Sequence, residues 1–379
     1  MRGSVARRER ELSLLQQAPR FDLAGAARLA RELYGLDATA AALPSERDQN
    51  FLITTPNGDR YVLKVANAAE PRQMLDAQNA AMTHVADRVA LCPRVLPTIG
   101  GDTIGIASND PYQPYPPHPP DQTHCVRLVT YLPGVPLAEA GVRTPALLDS
   151  IGRAIGRLDA ALADFDHPAA HRDFHWDLAN ASRVIGEHLP RIGDDDHRNL
   201  VERVSTSALA WVAPLEPAFR RTVIHNDAND WNVLVSKRES HITNPSNPES
   251  QIPNPDTVVG IIDFGDMVHS WVVADPAVAI AYAMLDAENP LETAAVIVRG
   301  YHAEHPLRDE ELAALFPLAV LRLCMSVCIA AWQQQQRPDD EYLTVSQAPI
   351  QRTLPRLAEI PLSSAEQAIR DACGLDLPG

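Results

Sequence analysis

Hydrophobic and polar positions divide the chain into a strand-rich first third and a helix-rich remainder. In the first third, apolar residues recur either at helical spacing or in short β-branched runs bounded by turn residues. Asn57-Gly58 lies between two of these runs and is a strong hairpin signal. The predicted elements are the helices Asp22–Tyr34 and Pro71–Val89 and the strands Asn50–Thr55, Arg60–Ala66 and Cys125–Leu132. They predict a small, mostly antiparallel sheet.

After Gly134 the pattern becomes helical. The predicted helices are residues 144–165, Asn199–Val212, Ala274–Leu285, Leu291–His302 and Glu310–Gln335. Two polar, proline-rich stretches without periodicity, Asn109–Gln122 and Glu239–Asp256, predict loop insertions. The predicted organisation is an N-terminal extension (1–20), a β-sheet lobe (21–132) and a helical lobe (133–379) with a polar insertion at 239–256. The predicted fold class is therefore α+β.

Composition and charge exclude several functions. The formal net charge of −16 argues against a general attraction to nucleic acid or to anionic membranes. No uninterrupted apolar run approaches the roughly 20 residues of a membrane span. The charged N-terminus is not followed by the apolar segment of a secretory signal. Five scattered cysteines are typical of reduced thiols, so we expect a cytoplasmic protein.

Two motifs suggest a reaction. The first, in Val223–Val235, has the pattern His-x-Asp-x-x-x-x-Asn at His225, Asp227 and Asn232. The second is Asp263-Phe264-Gly265, which ends a β-branched run. Kinases use such an Asp as the catalytic base and use the Asn and the second Asp as oxygen ligands of Mg²⁺. The order of the motifs and the flanking strands together predict a phosphoryl-transfer centre.

The spacing of the two motifs predicts a hairpin with a long tip. Asp227 and Asp263 are 36 residues apart, which is too far for a tight hairpin. Removing the polar stretch Glu239–Asp256 from this distance leaves an ordinary hairpin length. We therefore expect catalytic loop, strand, turn, strand and metal-binding Asp to follow one another.

Lys64 is the candidate cation for nucleotide phosphates. On the predicted strand it shares a face with Val62 and Ala66, so it could reach the α- and β-phosphates. A lone strand lysine is more commonly an edge residue in water. The two motifs reverse that preference, because a phosphoryl-transfer centre needs such a cation.

These residues resemble the aminoglycoside phosphotransferase/choline kinase family of protein-kinase-like small-molecule kinases, and within it the hydroxylysine kinase branch. The similarity covers most of the chain. Besides the two motifs it is carried by Leu43–Ile53, Tyr61–Asn67, Leu75–Met82 and His171–Leu178. The resemblance implies a bilobal fold with a β-sheet N-lobe and a helical C-lobe. It also implies transfer of the γ-phosphoryl of ATP or GTP, with Mg²⁺, to a hydroxyl of a small amine or amino acid.

The resemblance also assigns nucleotide-binding residues. Lys64 should contact the phosphates, and Ser45 lies in the loop that covers them. Tyr131 and Leu132 lie where backbone groups hydrogen-bond the base. One departure concerns the helix glutamate that usually pairs with the strand lysine, because this chain has Gln78 in that position.

The acceptor is less visible in the sequence. Asp266 could contact a substrate ammonium or tune the metal, or it could be a solvated turn residue. Arg322 lies in an apolar helix and needs a partner. We favour an ion pair with an acid such as Asp275 over recognition of a substrate carboxylate.

Several alternatives remain open at this point. Homoserine, choline, ethanolamine or an aminoglycoside could replace hydroxylysine as the acceptor. A nucleotide-binding pseudokinase is the non-enzymatic alternative, favoured only by Gln78. A third alternative is a subunit of a larger enzyme.

Overall fold

The structure is a computed structural model that describes residues 17–45, 48–108, 122–236, 257–336 and 346–376. The predicted insertion at Glu239–Asp256 lies outside the described residues, as do most of the Asn109–Gln122 loop and of the 1–20 extension. The chain forms two compact units. The first runs to Ala86 and continues over Pro93–Leu132, and the second comprises Asp87–Cys92 and the chain from Pro133 onward.

The first unit is an antiparallel sheet with two helices. Its elements are α1 (Leu23–Tyr34), β1 (Thr39–Leu43), β2 (Gln49–Thr54), β3 (Arg60–Val65), α2 (Arg72–Val85), β4 (Val95–Leu96), β5 (Gly105–Ser108) and β6 (Thr123–Thr130). The strand order is β1-β2-β3-β6-β4, with β5 also paired to β6. The predicted helices and hairpin are confirmed. Strand β1 was not predicted, because the alanines of its sequence TAAAL have low β-propensity.

The core of this unit lies between α1 and the sheet. Helix α1 starts where the Asp22 carboxylate accepts from the Gly25 N–H at 2.6 Å. Its buried face contributes Leu29, and the sheet contributes Phe51 and Leu63. Burial of these side chains fixes the register of β3, and with it the position of Lys64.

The second unit is mainly helical. Its helices are α3 (Pro145–Leu162), α4 (Ala181–His188), α5 (Asp195–Val212), α6 (Ala274–Ala283), α7 (Pro290–Glu304), α8 (Asp309–Gln336), α9 (Gln347–Leu357) and α10 (Leu362–Cys373). The five helices predicted after Gly134 are all present. Helices α4, α9 and α10 were missed, but each places its buried residues on one face. The predicted α+β fold class is confirmed.

Short strands frame the two motifs in the second unit. They are β7 (Val135–Pro136), β8 (Arg221–Ile224), β9 (Val233–Val235), β10 (Val258–Ile261) and β11 (Val268–Trp271). Strands β9 and β10 form an antiparallel ladder, with β7 on the other side of β9. Strand β11 pairs antiparallel with β8. The predicted hairpin is thus present, and both motifs begin and end at paired strands.

Helix α8 is long and apolar enough to cross a membrane by length and composition, although the sequence showed no uninterrupted apolar run of that size. It contains an 18-residue window with a mean hydropathy of 2.2, and this window is entirely buried inside the protein. A helix that is apolar on all sides is typical of a protein core. Here α8 packs against α5, α6 and α10.

Helices α3 and α7 approach closely at glycines. A Cβ atom at Gly152 would lie 1.9 Å from the main-chain oxygen of Ile297, and one at Gly300 would lie 2.2 Å from that of Asp149. No side chain fits at these distances, so glycine is required for backbone contact rather than for a turn. This contact brings the buried residues of α3 and α7 together.

We expect Gly152→Ala to destabilise the protein by about 1–3 kcal/mol, because the added methyl forces the two helices apart. The matched control is Gly186→Ala in α4, where a Cβ would meet nothing within 4 Å. That change should stabilise the protein by about 0.5–1 kcal/mol through helix propensity. Urea unfolding of both variants measures the difference. Equal effects at the two positions would contradict the close packing.

Candidate active site

The loop between β8 and β9 carries the first motif, and Asp275 of α6 holds its start. The Asp275 carboxylate accepts from the main-chain N–H of His225 at 3.0 Å and from that of Asn226 at 2.6 Å. Asn226 has φ of 65°, a left-handed conformation that asparagine tolerates better than most residues. The His225 Nε2 atom lies 3.1 Å from the carbonyl of Ile262. His225 therefore holds the loop through main-chain contacts.

Asp227, the predicted base, follows directly and is held by three side chains. Asn232 donates from Nδ2 to its Oδ2 at 2.7 Å, and Asn229 donates from Nδ2 to its Oδ1 at 2.9 Å. Arg322 donates from Nη2 to the same Oδ1 at 3.3 Å. The Asp227 side chain keeps 20% of its surface exposed. These contacts orient the carboxylate but leave it access to an acceptor.

The charges around Asp227 oppose one another. Burial raises the pKa of Asp227 well above its ordinary value, and the negative charges of Asp266 and Asp263 raise it further. The positive charge of Arg322 and the hydrogen bond from Asn229 act in the opposite direction. A carboxylate with a raised pKa is a better proton acceptor, which suits a base.

Asn232 and Asp263, the predicted ligands of a divalent cation, both carry side-chain oxygen atoms of the kind that Mg²⁺ prefers. Asn232 uses its Nδ2 atom for both of its side-chain bonds to Asp227, so its Oδ1 faces elsewhere. The Asp263 side chain is exposed and accepts from the Gly265 N–H at 3.0 Å. Among the described residues, no group of three or more His, Cys, Asp or Glu could hold a metal by itself. Mg²⁺ commonly takes one or two protein ligands and completes its shell with phosphates and water.

The second motif forms a strained turn. Asp263 has φ of 65°, and Phe264–Asp266 form one turn of 3₁₀ helix. The Phe264 ring packs edge-on against His225 with centroids 5.0 Å apart. Arg172 donates from Nη2 to the carbonyls of Gly265 and Met267, at 2.8 and 3.0 Å. The turn is therefore fixed from both sides.

The structure corrects the predicted partner of Arg322. Arg322 is 2% exposed, and it pairs with Asp227 rather than with Asp275. It also donates to the carbonyl of Trp176 at 2.7 Å, and its guanidinium lies 4.5 Å from the centre of the Trp176 ring. The expectation of a protein ion pair is correct, but the acid was wrong. Asp275 is occupied by the catalytic loop instead.

Asp266, the other acceptor candidate, is half-buried at the end of the 3₁₀ turn. Its carbonyl accepts from Asn226 Nδ2 at 3.3 Å. Its negative charge acts on both Asp227 and Arg322. Its charge therefore contributes to the electrostatics around Asp227, and its role toward the acceptor stays a prediction.

The nucleotide-binding candidates lie in the first unit. Lys64 is in β3, opposite Asn50 on one side and Arg127 on the other. Ser45 is exposed between β1 and β2. Tyr131 and Leu132 follow β6, and the Tyr131 N–H donates to the carbonyl of Arg60 at 3.3 Å. Their nucleotide roles stay predictions.

Gln78, on α2, is buried and accepts from Arg127 Nη1 at 2.8 Å. The Gln78 amide thus contacts Arg127, the residue of β6 that lies opposite Lys64. The Gln78 amide oxygen therefore serves as a neutral acceptor for the buried Arg127 guanidinium.

Sequence reasoning missed several site residues. Asn229 could have been found, because an Asn two residues after the base is placed to cap the loop and bond its carboxylate. Arg172 gives no such signal, since its carbonyl partners lie more than 90 residues away. The role of Asp275 also depends on distant packing.

Comparison with known proteins is consistent with this geometry. Residues 39–244, more than half of the chain, match the model of the phosphotransferase enzyme family. The hydroxylysine kinase of Xenopus laevis is 32% identical over 335 residues, covering 85% of each chain. That of Danio rerio is 28% identical and covers 94% of this chain and 97% of the relative. A solved amicoumacin kinase shares the fold with a TM-score of 0.61 at 14% identity, covering 96% and 97% of the two chains.

The motifs, the fold and these matches agree. The chain is a small-molecule kinase acting on hydroxyl acceptors, with a protein-kinase-like fold, and it belongs to the phosphotransferase enzyme family.

Proposed function

We propose that this kinase transfers the γ-phosphoryl of ATP or GTP, with Mg²⁺, to the hydroxyl of hydroxylysine or a near analogue. The observation that carries the reaction is the Asp227 carboxylate, which accepts from Asn232 Nδ2 at 2.7 Å and is acted on by the charge of Asp263. The similarity to hydroxylysine kinases supports the acceptor. We assign Lys64 and Ser45 to the nucleotide phosphates, and Tyr131 and Leu132 to the base, on the family resemblance.

In this proposal Asp227 acts on the acceptor hydroxyl. It accepts a hydrogen bond from that hydroxyl, orients the oxygen toward the γ-phosphoryl and takes up the proton as the new bond forms. Asn229 and Asn232 hold the carboxylate in one orientation throughout. Mg²⁺, held by Asn232 and Asp263, would neutralise phosphate charge.

The electrostatics of the second unit favour a cationic acceptor. Asp266 and Asp263 act on Asp227, and Asp230 and Asp227 both act on Tyr282. Three arginines oppose these four acids: Arg322 beside Asp227, Arg172 at the second motif, and Arg143, whose guanidinium lies 3.5 Å from Asp230. The net charge of these side chains is negative, so they attract the ammonium group of an amino acid or amino alcohol.

A screen of acceptors tests the proposed function. Hydroxylysine, homoserine, ethanolamine, choline and an aminoglycoside are each supplied with ATP or GTP, with and without Mg²⁺. We expect acceptor-dependent phosphate transfer that requires Mg²⁺, with the highest kcat/KM for hydroxylysine. A higher kcat/KM for any other acceptor would overturn the acceptor assignment.

Replacing the base separates turnover from binding. We expect Asp227→Asn to lower kcat roughly 10³-fold, because the amide cannot accept the hydroxyl proton. Nucleotide binding should change little, since that carboxylate acts on the acceptor. The matched control is Asp196→Asn on the exposed first turn of α5, which should retain full turnover. Wild-type turnover in Asp227→Asn would exclude Asp227 as the base.

The role of Arg322 has its own test. Because Arg322 is buried and bound to Asp227 and Trp176, we expect Arg322→Met to lower kcat at least about tenfold by freeing Asp227. The loss should be equal for hydroxylysine and for its decarboxylated analogue. The control is Arg183→Met at the surface of α4. A loss confined to the carboxylated acceptor would show instead that Arg322 reads the substrate carboxylate.

A further inference from the structure

Two aspartates lie together in the interior behind the catalytic loop. Asp159 of α3 and Asp275 of α6 are both 0% exposed. Besides burial, Asp275 raises the pKa of Asp159 through its charge and through a side-chain interaction, so the two carboxyl groups are neighbours. The Asp159 Oδ2 atom also accepts from the Tyr301 hydroxyl of α7 at 2.6 Å. The glycine contact between α3 and α7 places Tyr301 there.

The hydrogen-bond donors around these two carboxyl groups leave one carboxylate oxygen without a donor. Both Asp275 oxygens already accept main-chain N–H groups, from His225 and Asn226. The Asp159 Oδ1 atom is buried and meets no donor. Two ionised carboxylates cannot hydrogen-bond each other, and burying both unpaired would be very costly. A single proton on Asp159 satisfies both groups.

Neighbouring charges do not replace this proton. Arg220, before β8, is the cation that acts on Asp159. Its guanidinium is already paired with Glu311 at 2.6 Å, and it lies 3.2 Å from His305 Nε2. Burial raises the pKa of Asp159 well above its ordinary value, and the charge of Asp275 raises it further. The Tyr301 hydrogen bond and Arg220 only partly oppose this.

We propose that Asp159 is a positioning residue of the kinase: it stays protonated at neutral pH and donates to Asp275. That bond fixes the carboxylate that holds the N–H groups of His225 and Asn226. Asp159 thereby sets the start of the loop that carries Asp227, without touching substrate. Its effect on turnover rests on the proposed function, whereas the proton itself does not.

Two substitutions of similar size separate the proton from the side-chain volume. In Asp159→Asn the amide can donate to Asp275 and still accept from Tyr301, as protonated Asp does. We expect it to retain kcat within about threefold. Asp159→Leu has neither group, so kcat should fall about ten- to a hundredfold as the loop shifts. Nucleotide affinity should be similar in both. An equal loss in the two variants would overturn the proposal.

The pH dependence of the unfolding equilibrium reports on the Asp159 proton and needs no phosphoryl acceptor. An unfolded Asp has a pKa of about 3.9, so above that pH only the folded protein holds the extra proton. Raising the pH therefore favours unfolding of the wild type more than that of Asp159→Asn. Between about pH 5 and 7, the ratio of the wild-type to the variant unfolding constant should rise about tenfold per pH unit.

These two readouts distinguish the possible failures. A ratio that does not change with pH would show that Asp159 is ionised and would overturn the proposal, whatever the enzyme phosphorylates. If no acceptor is phosphorylated but the ratio rises, the proposed function fails and the proton is supported. A rising ratio together with the Asn and Leu contrast in kcat supports both.

Discussion

The catalytic loop depends on one constraint: its first main-chain N–H groups have no strand partner, so a side chain must accept from them. Asp275 does this with both carboxylate oxygens. Buried main-chain donors are costly to leave unpaired, so this contact determines where the loop begins. The left-handed turn at Asn226 follows from it and directs Asp227 away from the strand direction of β8.

Around this contact the acidic and basic side chains have separate tasks. Asp263 and Asp266 add negative charge beside Asp227, and Arg322 offsets part of it from within the core. Arg172 bonds to carbonyls of the second motif, so it contributes geometry as well as charge. An isolated buried arginine would be destabilising, but Arg322 meets a carboxylate, a carbonyl and two aromatic rings.

The sequence predicted the elements whose signals are local. Helical periodicity located α3 and α5 to α8, and the spacing of the motifs located the β9–β10 hairpin. Strand β1 was missed because alanines give no period-2 pattern. The partner of Arg322 was assigned to the wrong acid, because a sequence shows that a buried charge needs a partner but not which acid packing provides. The glycine contacts of α3 and α7 were missed for the same reason.

The composition of α8 has a consequence for folding. A segment as apolar as a membrane span is sheltered only when the other helices of its unit have packed around it. If α8 forms before the other helices pack around it, the chain exposes a continuous hydrophobic surface, which favours aggregation over refolding. Heat inactivation of this protein should therefore be irreversible, with a midpoint that depends on scan rate. Its practical lifetime is then governed by how slowly the native state first opens.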